Sequence, residues 1–216
     1  MGGAAEMVGR LIVFEGIDGS GLSTQAARLH RYLCESLHLP AYLTKEPTDG
    51  PAGAQVRLKL RGRLAMDEPT LALFFAADRL DHLATDVLPR LEAGFQVISD
   101  RYYLSSLAYQ SLDLEMGWLR AINARCRRPD LTIFLDVPVD ICMARLQAQR
   151  WRLELYEATD KLERVRRNYL RLIPKLEREG ENVVLIAGAA AGVERSIAEV
   201  AADVQAAALP VIVEGR

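Results

Sequence analysis

The segment Leu11–Gln25, LIVFEGIDGSGLSTQ, constrains the fold more than any other stretch of this 216-residue chain. An apolar run, Leu11 to Phe14, ends in a glycine-rich turn, and Ser23-Thr24 then opens a helix-forming stretch. The layout is G-x-x-x-x-G-K-[ST] with one departure: Leu22 stands where the pattern has lysine. Glycine admits positive φ and lets backbone approach a ligand closely. Gly16, Gly19 and Gly21 can therefore aim successive N–H groups, that of Ser20 included, into one concavity that binds oxyanions. The start of the following helix adds unpaired donors and the positive end of its dipole. Such a turn implies a nucleoside triphosphate. Ser23 then stands at the hydroxyl position that helps hold Mg²⁺ between phosphates, with Thr24 beside it, while Leu22 offers no charge to the β- and γ-phosphates. The plainer alternative is a strand–turn–helix junction that uses glycine only for the bend.

The rest of the chain repeats the same alternation. Short apolar runs lie at Leu11–Glu15, Ala41–Thr44, Gln96–Ser99, Leu131–Asp136 and Asn182–Ile186. Each is apolar nearly throughout, as expected of strands buried on both faces of a parallel sheet. Between them the pattern predicts helices over Ser23–Leu37, Ala52–Arg61, Pro69–Glu92, Leu104–Arg125, Val139–Arg150, Thr159–Glu179 and Val193–Leu209. Gly180 follows a charged helix end and reads as a stop. Strand–helix alternation predicts a doubly wound α/β domain. One domain over 1–216 is expected from the length, with a mobile lid around 147–159, where the apolar pattern breaks. Ligands in such sheets sit at the carboxyl ends of the strands. The chemistry should therefore gather after Glu15, Thr44, Ser99 and Asp136.

Bulk composition narrows the partners. A 50% hydrophobic content supplies a core, and a net charge of −2 gives no general drive toward nucleic acid or an anionic membrane. No run of about 18 apolar residues predicts a membrane span. Cys34, Cys126 and Cys142 are odd in number and far apart, which suggests reduced thiols and a cytoplasmic protein. Residues 1–9 lack the basic start of a signal peptide and are expected to fray.

Polar residues crowd the predicted strand ends. Lys45, Glu46, Pro47 and Thr48 follow the second strand, and Asp100, Arg101 and Tyr102 the third, with Ser105, Ser106, Tyr109 and Gln110 just beyond. Phe75 and Arg79, one helical turn apart, share a face and suit a flat base with a carbonyl edge. Read singly, they are rather a core ring and a solvated charge. Arg101 can grip a phosphate bidentately, and Asp100 can orient it or reach a metal-bound water; the plainer alternative is a surface ion pair. Asp18 is either a turn-forming carboxylate or a ligand of metal-bound water. Arg145, Arg150 and Arg152 in and before the lid can bring positive charge to a transferring phosphoryl group. Lys161, Arg164, Arg166, Arg167 and Arg171 read instead as a solvated helix face.

These pieces together resemble the thymidylate kinase family. The matching segments are FEGIDGSG, ST and Q (Phe14–Gln25), Glu46-Pro47, FFAADR (Phe74–Arg79), SDRYYLSSLAYQ (Ser99–Gln110), PDLTIFLDVP (Pro129–Pro138) and RVRRNYL (Arg164–Leu170), covering about Leu11–Ile186. The resemblance implies the P-loop nucleoside monophosphate kinase fold, a five-stranded parallel sheet with helices on both faces, assembled as a homodimer. It implies the reaction ATP + dTMP → ADP + dTDP with Mg²⁺. By the same resemblance Phe75 stacks on thymine, Arg79 bonds its carbonyl edge, and Ser106 and Gln110 touch base or sugar, with Glu46 nearby. Tyr109 crowds the 2′ position, Arg101 and Arg57 hold the acceptor phosphate, and Asp18 meets the sugar hydroxyl or the metal's waters. Gly16, Gly19, Ser20, Gly21, Ser23 and Thr24 cradle the donor phosphates, Arg150 and Arg152 act from the lid, and Glu15 and Asp100 support them. The turn holds no arginine, so the chain resembles the members whose catalytic arginine lies in the lid.

Leu22 is the departure from that family pattern. Either another cation (Arg150, Arg152 or Lys45) replaces the lysine, or nucleotide is bound with little turnover, or the residue is an introduced change. Two other functions stay open: a kinase for a different pyrimidine (deoxy)nucleotide, and a nucleotide-binding regulatory protein with impaired catalysis. DNA binding is disfavoured, because no basic stripe with interleaved aromatics appears.

Overall fold

The computed structural model describes residues 8–149, 155–190 and 192–213. Strand β1 (Leu11–Glu15) leads into α1 (Leu22–Arg31), which continues through a π-helical turn at Tyr32–Ser36 to β2 (Ala41–Lys45). Next come α2 (Pro51–Leu60) and α3 (Glu68–His82), the latter joined by a π-helical turn at Leu83–Val87 to α4 (Leu88–Glu92) and then β3 (Gln96–Asp100). Helices α5 (Tyr103–Gln110) and α6 (Met116–Ile122) precede β4 (Leu131–Asp136), α7 (Val139–Gln149) and α8 (Leu155–Arg178). The chain closes with β5 (Val183–Ala187), a two-residue pair β6 (Ala189–Ala190) and β7 (Val193–Glu194), and α9 (Ile197–Val213).

The main sheet runs β2-β3-β1-β4-β5 with every pairing parallel. Alternation along β1 sends Leu11 and Val13 to one face and Ile12 and Phe14 to the other. The first face is covered by residues such as Leu83, Leu107, Val165 and Tyr169 from α5, α8 and the turn after α3. The second is covered by Ala26, Leu29, Val200, Val204 and Ala208 from α1 and α9. All five residues of β1 are buried, which is why the strand reads apolar without interruption. From β1 the chain runs to the edge strand β2, returns to β3 beside β1, and then crosses to β4 and β5 on the other side. The loops after β1, β3 and β4 therefore splay apart around one crevice.

The structure moves several predicted boundaries. The single helix expected over Leu104–Arg125 is two, because Glu115 accepts from Gly117 N and Trp118 N (both 2.7 Å) and starts α6 afresh. Val193 belongs to the β6–β7 pair rather than to the last helix. That helix begins after a reciprocal capping box, with Ser196 N donating to Glu199 Oε2 (2.8 Å) and Glu199 N to Ser196 Oγ (3.2 Å). Helix α8 starts at Leu155, ahead of the expected Thr159. Gly180 does stop it: at φ +85 it lets Glu181 N reach Leu176 O (2.9 Å) and Gly180 N reach Glu177 O (3.0 Å). The core of the expected lid, residues 150–154, lies outside the described residues.

Candidate active site

The glycine turn is shaped by positive φ at Gly19 (+84) and Gly21 (+95) and by the bond Ser20 N→Ile17 O (3.1 Å). A Cβ on Gly19 would lie 2.6 Å from the Cys142 carbonyl oxygen, so α7 leaves no room for a side chain there. Gly21 caps α1 without a side-chain bond, and no acid lies in that helix's first turn. The first N–H groups thus face the crevice with nothing to neutralise them. The Ser20 hydroxyl is buried and has no partner among the described residues. Orphaned buried donors of this kind belong to ligand sites. The turn floors a cavity of about 520 Å³, whose far wall carries Arg145, Gly188, Glu194 and Arg195.

Leu22 lines this cavity while staying 5% exposed. It is buried with Ile12, Phe14, Leu135 and Val200, and its Cδ2 would stand 3.3 Å from a Cβ on Gly16. The residue at the lysine position is thus a core residue. Of the three cations expected to stand in for it, Arg150 and Arg152 lie outside the described residues. Lys45 does not line this cavity; it lines an adjoining groove with Thr44, His82 and Asp86, which meets the cavity at Ser23 and Asp100. Arg145 instead leans over the turn, its Nη1 donating to Gly19 O (2.8 Å) and its Nη2 to Glu194 Oε1 (2.7 Å).

The end of β3 meets this turn. Ser23 Oγ donates to the Asp100 carboxylate. Arg101 takes φ +75 and extends the ladder by donating its N–H to Phe14 O (2.9 Å). Its guanidinium donates to Gly16 O (3.0 Å), Ser105 Oγ (3.1 Å) and Asp18 Oδ1 (2.8 Å). Asp18 N donates to the Tyr109 hydroxyl oxygen (3.0 Å). Behind this pair Glu15 is completely buried, and burial pushes its pKa up to about 7 although hydrogen bonds and Arg101 oppose the rise.

A second cavity, of about 210 Å³, opens on the other side of Arg101 and Asp18. Phe75, Arg79, Ser106, Tyr109 and Gln110 all line it, with Glu46 and Pro47. Arg79 is more deeply committed to the protein than the sequence suggests. It is 1% exposed, and donates Nε to Glu46 Oε2 (2.7 Å), Nη1 to Asn123 Oδ1 (2.5 Å) and Nη2 to Ser106 Oγ (3.2 Å). Three of its five N–H groups are thereby used. Gln110 is the opposite case: both its amide nitrogen and its amide oxygen are buried without a partner among the described residues. Arg57 is not brought to this cavity; it pairs with Asp49 (3.2 Å) instead.

Sequence reasoning missed three supporting residues. Asp78, buried on α3, accepts from Thr48 N (2.8 Å) and Thr48 Oγ1 (2.5 Å) and so fixes the loop that carries Glu46. Asn123 braces Arg79. Arg166 corrects the solvated-face reading of α8: it forks onto Asp136 at the end of β4, at 2.6 and 3.0 Å. Its spacing from Leu162 and Tyr169 placed it on the buried face of the helix, a signal available in the sequence.

Among the described residues no group of three or more His, Cys, Asp or Glu side chains could hold a metal ion unaided, and no helix is long and apolar enough to cross a membrane. Comparison with known proteins identifies the family. The family model for thymidylate kinase matches residues 14–195. A relative in Aeropyrum pernix that bears a thymidylate kinase name is 37% identical over 196 residues, 90% of this chain and 93% of its own length. The "Probable thymidylate kinase" of Thermococcus kodakarensis is 43% identical over 170 residues, 74% of this chain and 82% of its own. That of Pyrococcus horikoshii is 41% identical over 172 residues, 77% of this chain and 83% of its own. Match and geometry span the same strand ends, and the chain belongs to the thymidylate kinase family.

Proposed function

We infer that this chain, as a single domain, transfers the terminal phosphoryl group of ATP to dTMP, giving ADP and dTDP. One observation carries the reading: the two cavities share Asp18 and Arg101 as a common wall. A donor polyphosphate seated on the glycine turn and an acceptor monophosphate at Arg101 would then meet there, in the positioning that phosphoryl transfer requires.

Each role follows from the local chemistry. The N–H groups of the first turn of α1 and the Ser20 hydroxyl receive the donor phosphates, whereas Asp18 N and Ser20 N, the latter expected among the donors, are held by Tyr109 Oη and Ile17 O. Phe75 offers a ring face to the base, and the unpartnered Gln110 amide offers one donor and one acceptor to its edge. The remaining Arg79 N–H groups can assist Gln110. Tyr109, held by Asp18 N, narrows the sugar site and favours a deoxyribose. Mg²⁺ usually takes phosphate oxygens, waters and one or two protein oxygens. Ser23 and Asp100, already bonded to each other, fit that donor set, with Asp18 reaching the waters. The ion would neutralise developing charge between the phosphates. Arg145 would be the cation that covers for Leu22 among the described residues, with Arg150 and Arg152 joining from the lid segment. The three cysteines, all free, suit the reducing cytoplasm.

A coupled assay of ADP release with a panel of nucleoside monophosphates tests this. Turnover with dTMP should exceed that with dUMP and with any ribonucleotide or purine. Absence of product at millimolar ATP and dTMP would leave the regulatory reading, for which the buried Leu22 is the supporting observation.

The active form is proposed to be a homodimer. Leu73 (50% exposed), Ala77 and Leu80 (37% exposed) recur at i, i+4 and i+7 on α3. Exposed Leu58 and Leu60 lie on α2, which packs against that helix. A paired Leu73→Asp, Leu80→Asp chain should sediment as a monomer at micromolar concentration where the parent sediments as a dimer. A parent that already runs as a monomer removes the proposal.

A further inference from the structure

We propose that Glu15 is a positioning residue for the acceptor site: its buried carboxylate clamps the first turn of α5 and, through Ser105, sets the guanidinium of Arg101. The proposal rests on the reading above in which Arg101 meets the acceptor phosphate.

Glu15 ends β1 and is 0% exposed. Its two oxygens receive four donors from two other elements. Oε1 accepts from Tyr102 N (3.0 Å) and Ser105 N (3.2 Å), while Oε2 accepts from Ser105 Oγ (2.6 Å) and Tyr169 Oη on α8 (2.9 Å). Tyr102, at the N-cap of α5, makes no side-chain cap bond. Glu15 therefore caps that helix from a neighbouring strand, supplying the acceptor that a local Ser or Asp ordinarily would. The Ser105 hydroxyl, with its proton directed to Glu15, keeps lone pairs for Arg101 Nη1 at 3.1 Å. Arg101 itself sits at φ +75, a left-handed conformation that L side chains rarely adopt. Such a residue persists only where its surroundings over-determine it. Its N–H is tied to Phe14 O and its carbonyl receives Ser99 Oγ (2.7 Å), but the guanidinium is steered by Ser105, Gly16 O and Asp18.

Four donors call for an ionised carboxylate. Protonation would turn one oxygen into a donor, and the Ser105 hydroxyl would have to accept from Glu15 in competition with Arg101. The ionisable groups facing Glu15 are Arg101, Tyr103 and Tyr169, with Tyr109 and Asp18 beyond Arg101. Burial holds Glu15 near neutrality at about 7, so the proton it gains on acidification arrives within the working range. Because the folded pKa lies above the ordinary value, folding itself favours the protonated form. Stability from this group is full below the ordinary carboxylate pKa and is lost as pH rises through about 7. Glu15→Gln, which removes a buried charge and keeps the shape, is therefore expected to fold.

The test compares Glu15→Gln, Ser105→Ala and the parent, with ATP and dTMP varied in turn between pH 6 and 9. Both variants should raise the KM for dTMP about tenfold or more while the KM for ATP stays within about twofold, since a misplaced group costs 10- to 100-fold only where it acts. Calorimetry should find dTMP binding weakened and thymidine binding unchanged, because the phosphate is what Arg101 reads. In the parent, the dTMP KM should rise as pH falls through about 7. In Glu15→Gln only the change due to the phosphate's own ionisation should remain. Ser105→Ala carries the test if Glu15→Gln does not fold. A normal dTMP KM in whichever variant folds, or an equal rise for ATP and dTMP, overturns the proposal. A parent that turns over no dTMP overturns the functional reading instead.

Discussion

Arg79→Ala is expected to cost about 3–5 kcal/mol of folding stability and most of the affinity for the acceptor base. The stability loss arises less from the missing contacts than from what they leave behind. The Glu46 carboxyl, 2% exposed, would be left with His82 Nδ1 (3.2 Å) as its side-chain partner among the described residues, and Asn123 Oδ1 with Cys126 Sγ (3.9 Å). An uncompensated buried charge is among the costliest single defects a core can carry. Arg79→Lys should recover only part of the loss, because one ammonium cannot reproduce a fork that serves Glu46, Asn123 and Ser106 in three directions. The double change Arg79→Met, Glu46→Gln should restore the urea midpoint without restoring dTMP binding, which separates the structural role from the recognition role. A midpoint shift below about 0.5 kcal/mol in Arg79→Ala, the range of ordinary surface changes, would contradict the buried fork.

The sheet was legible because its physics is local. Strands buried on both faces must be apolar throughout, so Leu11–Glu15 and Leu131–Asp136 stand out with their observed limits. The turn was equally legible, since its glycines are needed for the two positive φ values at Gly19 and Gly21. The four-residue spacing of Phe75 and Arg79 placed both at one cavity. What the spacing could not carry was commitment: the partners of Arg79 lie 27, 33 and 44 residues away, so nothing nearby marks it as a brace. Arg57 failed for the same reason in reverse, its partner Asp49 being visible only once the turn before α2 folds back. The break between α5 and α6 has no glycine or proline at Ser111–Glu115 to announce it; it depends on the Glu115 side chain turning back onto its own helix. The capping box at Ser196 and Glu199 was present in the sequence and was overridden by the apolar run around it.

Arg145→Gln is expected to lower dTMP-dependent ADP release by about 100-fold, and Leu22→Lys added to it should recover at least about tenfold. Phosphoryl transfer needs a cation near the β- and γ-oxygens, and Leu22 cannot provide one from its place in the core. Among the described residues, Arg101, Arg145 and Arg195 are the cations that line the donor cavity. Arg101 is turned toward Asp18 and the second cavity, and Arg195 is tied to Asp203 (2.8 Å) and Ala187 O (2.9 Å). Arg101 meets the turn at Gly16 O and Asp18, whereas Arg145 meets its helix-ward half, with Nη1 2.8 Å from Gly19 O and 3.7 Å from the point a Cβ on Gly21 would occupy. Its counter-charge, Glu194, is half exposed on β7 and is readily exchanged for a phosphate that offers the same fork a stronger partner. In the parent background Leu22→Lys should change turnover little, because the charge is already supplied from α7. A large gain from Leu22→Lys alone, or full turnover in Arg145→Gln, would show that Arg145 does not fill the gap; the second result would pass the role to Arg150 or Arg152. Binding separates charge from shape: Arg145→Gln should weaken ADP and leave adenosine unaffected, whereas a damaged cavity would weaken both.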